Sequence, residues 1–346
     1  MSIKKQEVVD ALKQVIYFAK KDNIVDLNMI QDISIKGKDI KVTIVFEKLD
    51  DPAVGIIYNS VTKTLKAELG DDIHVDVKPV ADDAKGPLSG VKNIIAVISG
   101  KGGVGKSTVA ANLAVSLSKA GNKVGILDAD VLGPSVPIMF GVEGQNPSVI
   151  EVNGKPKLIP LENYGIKILS IGFFVKPEQA LMWRGSMANN AFNQLMTDSE
   201  WGDLDYLVID MPPGTGDIQL TLAQNYNIRG VVLVSTPQKV ATADVRRAAM
   251  MYRQEKLTIP LLGIVENMAY FTPEDMPEKK YFIFGQGATD QLANELEIKV
   301  LGRIPIVEKV TETGDSGTPI TLVDNSPVTK AFMDVAQLVQ TEVGKL

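Results

Sequence analysis

Two apolar patterns alternate along the chain after residue 90. Asn93–Ser99 is a continuous apolar run, typical of a strand buried on both faces, and Thr108–Ala120 has helical spacing and ends before Gly121. The alternation predicts a mostly parallel sheet with helices on both faces and a ligand site at the carboxyl ends of the strands. The predicted strands are 93–99, 123–129, 166–171, 205–211, 230–236, 261–267 and 299–304, and the predicted helices are 107–120, 186–198, 216–225, 240–256, 286–296 and 327–343.

The first 80 residues predict a separate small α/β unit. Ile33–Ile35 and Ile40–Phe46 alternate like strands around a hairpin turn, Val54–Leu69 has helical spacing, and Ile73–Val80 alternates again. A polar segment with Gly and Pro follows, which is typical of a linker. We therefore predict a domain at 1–80, a linker at 81–90 and a second domain at 91–346.

A glycine-rich loop lies between the first strand and helix of the second domain. Gly100–Thr108 matches the phosphate-binding template G-x4-G-K-[ST] and contains an additional lysine, Lys101. Its glycines allow backbone N–H groups to point at phosphate oxygens. We expect Lys106 to neutralise the β- and γ-phosphates of ATP and the Ser107 hydroxyl to bind Mg²⁺.

Acidic residues end two further apolar strands. Lys123–Asp130 ends in Asp128 and Asp130, which a continuing strand would place on one face, and Tyr206–Asp210 ends in a single carboxylate, as in the Walker B pattern. We expect Asp210 to lie beside Mg²⁺, Asp128 to support the ion through water, and Asp130 to orient the attacking water. The Pro- and Gly-containing segment 211–217 is predicted to move when the γ-phosphate leaves.

Contacts to the adenine base are predicted on two other strands. Glu266-Asn267 ends one strand, and an amide suits the adenine edge because it both donates and accepts. Arg303 and Pro305 are predicted to pack on the base. The predicted nucleotide contacts are thus Gly100, Lys101, Gly102, Gly103, Val104, Gly105, Lys106, Ser107, Thr108, Asn267, Arg303 and Pro305, the predicted catalytic residues are Lys101, Lys106 and Asp130, and the predicted Mg²⁺ ligands are Ser107, Asp128 and Asp210.

The composition of the chain argues against several classes of function. The chain contains no cysteine and a single histidine, so disulfides, thiolate catalysis and cysteine-bound metal sites are excluded. The net charge of −6 argues against sequence-blind binding of nucleic acid, which needs a basic face. No apolar run approaches the roughly 20 residues of a membrane span, and the N-terminal residues lack a signal-peptide core. These features predict a cytoplasmic protein that does not bind membranes.

Several motifs together resemble one family. The lysine-bearing loop is similar to the deviant Walker A loop of the MinD/ParA group of dimeric ATPases. Other stretches resemble the Mrp (ApbC-type) branch over roughly residues 90–340, and residues 1–80 resemble a PaaD/SufT-like domain. These stretches are Asp128–Pro137, Met182–Gly185, Asp210–Asp217, Ser235–Gln238 and Glu266–Met268.

The resemblance implies an ATP-dependent iron–sulfur cluster carrier that acts as a homodimer. It implies that Lys101 reaches the nucleotide of the partner subunit, and that a Cys-x-x-Cys pair between 269 and 282 holds a bridging cluster. In this chain that interval contains no cysteine. The resemblance therefore predicts the ATPase, with iron–sulfur apo-proteins as candidate partners, but not cluster binding by the chain's own thiolates. Glu274, Asp275 and Glu278 could bind a hard cation, although a solvated acidic loop is the simpler interpretation.

Two other functions remain open at this point. One is a regulator or adaptor that binds DNA or a protein when ATP closes the dimer, for which Arg246, Arg247 and Arg253 are a candidate basic patch. The other is an ATPase that positions itself on a membrane, which needs a basic amphipathic C-terminal tail. The apolar face of 327–343 has few flanking lysines and predicts a core helix instead.

Overall fold

The chain forms two compact units, Met1–Ser89 and Gly90–Leu346. The structure is a computed structural model. The residues that it describes are 3–27, 29–46, 52–81, 88–152, 154–175, 185–254, 257, 259–273, 275–276, 278–323 and 326–346. Most of the predicted linker, and Met182–Arg184 of the motif that ends at Gly185, lie outside these residues.

The first unit is a three-stranded sheet covered by helices. The strands β3 (Ile30–Lys36) and β4 (Asp39–Phe46) form an antiparallel hairpin. After the crossover helix α2 (Ala53–Leu69), the strand β5 (His74–Ala81) pairs in parallel with β4. Apolar side chains from the sheet and both helices form its core, whereas His74 is exposed. The elements are α1 (Lys5–Leu12), β1 (Ile16–Tyr17), β2 (Asp22–Asn23), β3 (Ile30–Lys36), β4 (Asp39–Phe46), α2 (Ala53–Leu69) and β5 (His74–Ala81).

The second unit alternates strands and helices. Its described elements are β6 (Val91–Ser99), α3 (Lys106–Lys119), β7 (Val124–Asp128), α4 (Val136–Met139), β8 (Ser148–Val152), β9 (Lys155–Ile159), β10 (Leu161–Asn163), β11 (Ile166–Ser170), α5 (Gly185–Thr197), β12 (Leu204–Asp210), α6 (Asp217–Asn225), β13 (Ile228–Ser235), α7 (Lys239–Tyr252), β14 (Leu261–Glu266), α8 (Ala288–Glu295), β15 (Val300–Arg303), α9 (Glu308–Asp315) and α10 (Pro327–Val343).

An eight-stranded sheet forms the centre of this unit. The strand order is β10-β11-β7-β12-β6-β13-β14-β15, and only the β10–β11 pair is antiparallel. The predicted mostly parallel sheet is therefore confirmed. In the register of the sheet, Asp210 lies opposite Val97 of β6 on one side and opposite Asp128 of β7 on the other. The ends of these three strands thus meet at one edge.

Both faces of the sheet are buried, which explains the continuous apolar runs. In β6, Ile95 and Val97 pack with residues of α3 and α10 in one core cluster. The alternate residues Ile94, Ala96 and Ile98 are equally buried but point to the opposite face. A strand with two buried faces cannot show polar alternation, so its sequence is apolar throughout. The predicted helices on both faces are confirmed.

One predicted boundary changes the interpretation of the site. The strand predicted over 123–129 ends at Asp128, so Asp130 lies beyond it in a turn. The inference that both carboxylates share one strand face is therefore wrong, because strand alternation does not continue through a turn.

The 327–343 helix has the predicted bounds, and its apolar side chains Phe332, Val335 and Val339 are buried in the core. Among the described helices, none is both long and apolar enough to cross a bilayer.

Candidate functional site

The glycine-rich loop connects the end of β6 to the start of α3. Gly103 and Gly105 have positive φ angles of 81° and 79°, a conformation that glycine adopts without steric cost. A Cβ at Gly100 would lie 2.1 Å from the backbone carbonyl carbon of Asp244 in α7. Gly100 is thus required for close packing on α7, and the two later glycines are required for the turn into α3.

We predict that Gly105→Ala destabilises the second unit, whereas Gly102→Ala does not. A Cβ at Gly105 would lie 2.2 Å from Nδ2 of Asn267, and the residue has a positive φ. Strain of this kind costs about 1–3 kcal/mol. Gly102 has open space around its Cβ position and no positive φ, which makes it a matched control. Urea unfolding of both variants measures the difference, and equal free energies of unfolding would contradict the prediction.

Three side chains meet at the edge where β6 and β12 end. Lys106 Nζ lies 2.5 Å from Asp210 Oδ1 and 3.2 Å from Ser107 Oγ. Lys106 is only 6% exposed and Asp210 is fully buried. Burial raises the pKa of Asp210, and the Lys106 ammonium and the Ser107 hydroxyl oppose this shift. The lysine, hydroxyl and carboxylate predicted for phosphate and metal binding therefore lie in contact at one buried point.

Asp128 stabilises the turn that follows β7. Its Oδ1 accepts a hydrogen bond from the Asp130 N–H at 3.0 Å, and its Oδ2 accepts from the Val136 N–H and the Ser170 hydroxyl, both at 3.2 Å. Burial, followed by the nearby Asp210 carboxylate, raises the pKa of Asp128 to about 8. Both oxygens thus have hydrogen-bond partners within the protein, and the water-mediated support of Mg²⁺ stays a prediction.

Asp130 lies in a more accessible position than Asp128. Its Oδ1 accepts hydrogen bonds from the N–H groups of Leu132, at 3.2 Å, and Gly133, at 3.3 Å. The side chain is half-buried. A carboxylate held by the backbone of its own turn has a fixed orientation. This geometry is compatible with orienting water, and that role stays a prediction.

The predicted base contacts have other partners in this structure. Asn267 Nδ2 donates to the Val104 carbonyl at 2.9 Å, so this amide supports the glycine-rich loop. Arg303 forms ion pairs with Glu266 at 3.2 Å and Asp290 at 2.5 Å. Pro305 is buried. The Asn267 and Arg303 side chains thus donate to groups of the protein itself. Their contact with adenine stays a prediction.

A cavity of about 210 Å³ lies beside the first turn of α3. The predicted base contacts Asn267, Arg303 and Pro305 are not among its lining residues. Its walls come from α3, from the α4 region, from α9 and from the segment that follows α9. Thr108, the last residue of the loop motif, is part of the lining. The remaining lining residues are Ala111, Asn112, Ser135, Ile138, Met139, Val310, Thr311, Gly314, Asp315, Pro319 and Ile320.

Comparison with protein families identifies the chain. A family model described as NUBPL iron-transfer P-loop NTPase matches residues 90–340, which is more than half of the chain. The chain belongs to this family. A second model, described as iron-sulfur cluster assembly protein, matches residues 5–77. The resemblance to the Mrp branch is thereby confirmed.

Relatives of this P-loop NTPase align over most of its length. The chain is 44% identical to an iron-sulfur cluster carrier protein of Aquifex aeolicus (strain VF5), with 96% of this chain and 98% of the relative aligned. It is 48% identical to an iron-sulfur protein required for NADH dehydrogenase, mitochondrial, of Arabidopsis thaliana, over 72% of this chain and 78% of the relative. Members of the family therefore occur in bacteria and in mitochondria.

Solved structures support the same assignment. A nucleotide-binding protein from Archaeoglobus fulgidus in complex with ADP is 42% identical, with a TM-score of 0.58 over 69% of this chain and 91% of that one. The cell division ATPase MinD of Pyrococcus furiosus has a TM-score of 0.54 at 22% identity, over 72% of this chain and 98% of that one. The second likeness concerns the fold alone. The predicted P-loop NTPase fold is confirmed.

Aromatic contacts shape the 269–282 interval of this P-loop NTPase. Phe271 and Tyr281 exchange two backbone hydrogen bonds, of 2.9 and 2.8 Å. The Tyr270 and Phe282 rings pack edge to face at 6.4 Å, and Lys280 Nζ lies 4.2 Å from the centre of the Tyr270 ring. Glu274 lies outside the described residues. Within the described part of the chain, no group of three His, Asp or Glu side chains could hold a metal ion.

The three arginines of the candidate basic patch have partners inside the protein. Arg246 pairs with Glu295 at 2.5 Å, Arg247 pairs with Asp244, and Arg253 donates to the Leu296 carbonyl. The carboxylates of Glu295 and Asp244 reduce the net positive charge around Arg246 and Arg247, whereas the Leu296 carbonyl leaves the charge of Arg253 unchanged. This arrangement does not support a basic docking surface for DNA on α7.

Sequence analysis missed one buried side chain at the site. Gln219 of α6 is 1% exposed and hydrogen-bonds to the backbone of the loop after Asp210. A glutamine three residues after Gly216, at the start of a predicted helix, is the available sequence signal, because this is the spacing of a helix cap.

Proposed function

We propose that this chain is an ATP-hydrolysing switch protein that serves iron–sulfur cluster transfer. The observation that supports it best is the contact of Lys106, Ser107 and Asp210 at the edge of the sheet. These groups supply positive charge for phosphates and oxygen ligands for a hard cation. The direct test is ATP turnover by the purified protein and its dependence on Lys106.

The residues around Asp210 fit a Mg²⁺ ion. Asp210 Oδ2 is buried and has no hydrogen-bond partner in the described structure. An unpaired buried carboxylate oxygen is costly, and a cation bound there would remove that cost. We propose that Ser107 and Asp210 hold Mg²⁺, which would neutralise charge on the β- and γ-phosphates when bound. Asp128 is not part of this proposed pair of direct ligands, because its oxygens bind the turn after β7, and its support of Mg²⁺ through water stays a prediction.

The loop backbone and Lys106 have complementary tasks in this proposal. N–H groups of the loop and the start of α3 would cradle the phosphates, and Lys106 would neutralise them. Asp130, fixed by its own turn, would orient the attacking water. Charge stabilisation by groups that are already in place is the main catalytic effect available to a phosphoryl-transfer site.

We predict that ATP promotes a homodimer in which Lys101 acts on the nucleotide of the partner subunit. The Lys101 side chain is half-buried, and its ammonium has no ion pair among the described residues. Because Lys106 would neutralise the phosphates bound by the loop of its own chain, Lys101 is available for the phosphates bound by the partner subunit. Lys101→Ala should lose turnover by about 10²-fold but keep ATP binding, since one missing charge contact has this size of effect.

Lys330→Ala is the control for Lys101→Ala, because Lys330 is an exposed lysine on α10. Light scattering with ATP and with ADP measures the dimer, and an ATPase assay measures turnover. A protein that stays monomeric with ATP while showing full turnover would contradict the prediction. So would a Lys101→Ala variant that hydrolyses ATP like the Lys330→Ala control.

The iron–sulfur part of the proposal concerns a cluster as cargo. The chain has no cysteine, so it offers no thiolate to a cluster, and carboxylates do not replace such ligands. We therefore propose that any cluster in transfer is bound by another molecule, such as an iron–sulfur apo-protein or a small thiol. The nucleotide-driven change in shape would then control access of that molecule to this chain.

The missing cysteines favour a second candidate, an ATP-dependent adaptor without any cluster chemistry. A protein partner is favoured over DNA because the net charge is −6 and both arginines of α7, Arg246 and Arg247, form ion pairs within the chain. Pull-downs with protein trapped by ADP or by a non-hydrolysable ATP analogue separate the two candidates. Capture of iron–sulfur apo-proteins supports cluster transfer, and capture of unrelated proteins supports the adaptor.

A further inference from the structure

The loop between Asp210 and α6 contacts the start of the glycine-rich loop. Within this loop, which runs from Met211 to Gly216, the Gly214 N–H donates to the Ser99 carbonyl at 2.9 Å. Ser99 is the last residue of β6 and directly precedes Gly100. The position of this loop is therefore linked through one hydrogen bond to the backbone that begins the phosphate-binding motif.

Gln219 binds the same loop through its side-chain amide. Its Oε1 accepts from the Gly216 N–H at 2.7 Å, and its Nε2 donates to the Pro212 carbonyl at 2.7 Å and to the Gly214 carbonyl at 3.3 Å. One buried amide thus contacts three backbone groups of the loop. Among the described residues, no other side chain hydrogen-bonds to the backbone of 212–216.

Only one of these three bonds is explained by helix capping. A glutamine at the third helical position commonly accepts from the N–H of the cap residue, as Gln219 does with Gly216. The two Nε2 bonds reach back seven and five residues along the chain, which a cap does not require. The two Nε2 hydrogen bonds therefore need an explanation other than helix capping.

We propose that Gln219 is a positioning residue for ATP hydrolysis. By donating to Pro212 and Gly214, it holds the loop after Asp210 against Ser99, so that this loop and the glycine-rich loop keep one relative position. This inference rests on the proposed ATPase activity. Small displacements of groups around a reacting centre reduce turnover more than they reduce binding, because only the reaction needs the full alignment.

The test uses two variants of Gln219. Gln219→Met has similar volume and loses all three bonds, whereas Gln219→Glu keeps the cap to Gly216 but, when ionised, cannot donate to Pro212 or Gly214. We expect kcat for ATP to fall about tenfold or more in both variants, by the alignment argument. The dissociation constant of ADP should change less than about threefold, because the proposed phosphate ligands are untouched.

Gln224 supplies the control, since it is an exposed glutamine on the same helix with no hydrogen bond to the loop. Gln224→Met and Gln224→Glu should keep the wild-type kcat. Hydrogen exchange adds an independent readout, because the Gly214 amide should exchange faster in the Gln219 variants than in the Gln224 variants.

The outcomes separate this inference from the proposed function. If the wild-type protein does not hydrolyse ATP, the proposed function itself is wrong. If it does, and Gln219→Glu keeps the wild-type kcat while Gln219→Met loses it, only the cap matters and the positioning role is wrong. Equal kcat in all variants would also overturn the inference. If Gln219→Met does not fold, Gln219→Glu alone decides, since it retains the helix cap.

Discussion

Replacing Lys106 by alanine is expected to abolish ATP turnover, with a loss of roughly 10²-fold or more. The side chain is the single cation in contact with Asp210 and Ser107 within the described residues. Without it, the proposed site has no charge to offset the β- and γ-phosphates, and the binding of ADP and ATP should weaken as well. Turnover is measured as phosphate release, and binding by calorimetry.

Lys106→Ala also leaves Asp210 buried without its partner, so stability must be controlled. Breaking one side of a buried ion pair costs roughly 3–5 kcal/mol. The double variant Lys106→Met with Asp210→Asn removes both charges and should regain much of that stability. It should remain inactive, because it lacks both the phosphate cation and the proposed metal ligand.

The pair of variants therefore distinguishes folding from chemistry. If the double variant is stable but inactive, the loss of turnover comes from the site and not from unfolding. Wild-type turnover by either variant would show that ATP is hydrolysed elsewhere in the protein or by a contaminant, and the proposed site would be wrong.

Reconstitution with iron and sulfide is expected to leave the purified protein without a stable [4Fe–4S] cluster. The chain contains no cysteine and one histidine, so two copies offer no thiolate and two imidazoles. Soft sulfur ligands match the iron–sulfur core, and the Thr272 and Asp275 side chains of the interval are hard oxygen ligands. Anaerobic reconstitution without added thiol should give no cluster absorption after desalting, and no bound sulfide.

A matched control restores the ligand spacing within the same chain. Thr272→Cys with Asp275→Cys creates a Cys-x-x-Cys pair in the interval where the family resemblance places one. This variant is expected to retain iron and sulfide after the same procedure. A wild-type protein that retains a cluster as well as the variant does would contradict the prediction. If the wild-type protein retains none, addition of glutathione tests whether an external thiol is the missing ligand.

The sheet and the phosphate-binding loop could be predicted because their signals are local. Continuous apolar runs such as Asn93–Ser99 follow from burial on both faces, and the loop requires glycine where φ is positive, as at Gly103 and Gly105. Both signals depend on a few neighbouring residues. The family resemblance depended on the same short stretches, and the family match confirms it.

The finer geometry depended on contacts between distant segments. Asp128 was predicted to support Mg²⁺ through water, which stays a prediction, and no sequence signal indicated that it also binds the turn after β7 and Ser170 of a neighbouring strand. The Asn267 amide, whose contact with adenine stays a prediction, also donates to Val104, which is 163 residues away in the sequence. A carboxylate or amide at a strand end has several possible partners, and only the packing of other segments decides between them.

The Phe271–Tyr281 bridge makes this protein suited to reversible covalent control. The two residues exchange both backbone hydrogen bonds, and such antiparallel pairs have Cα atoms about 5.5 Å apart, within the range that a disulfide spans. In a chain without other cysteines, Phe271→Cys with Tyr281→Cys would contain the only two thiols. An oxidant would then join the two segments covalently and a reductant would remove the cross-link, so that movement of this interval could be restricted and restored on demand.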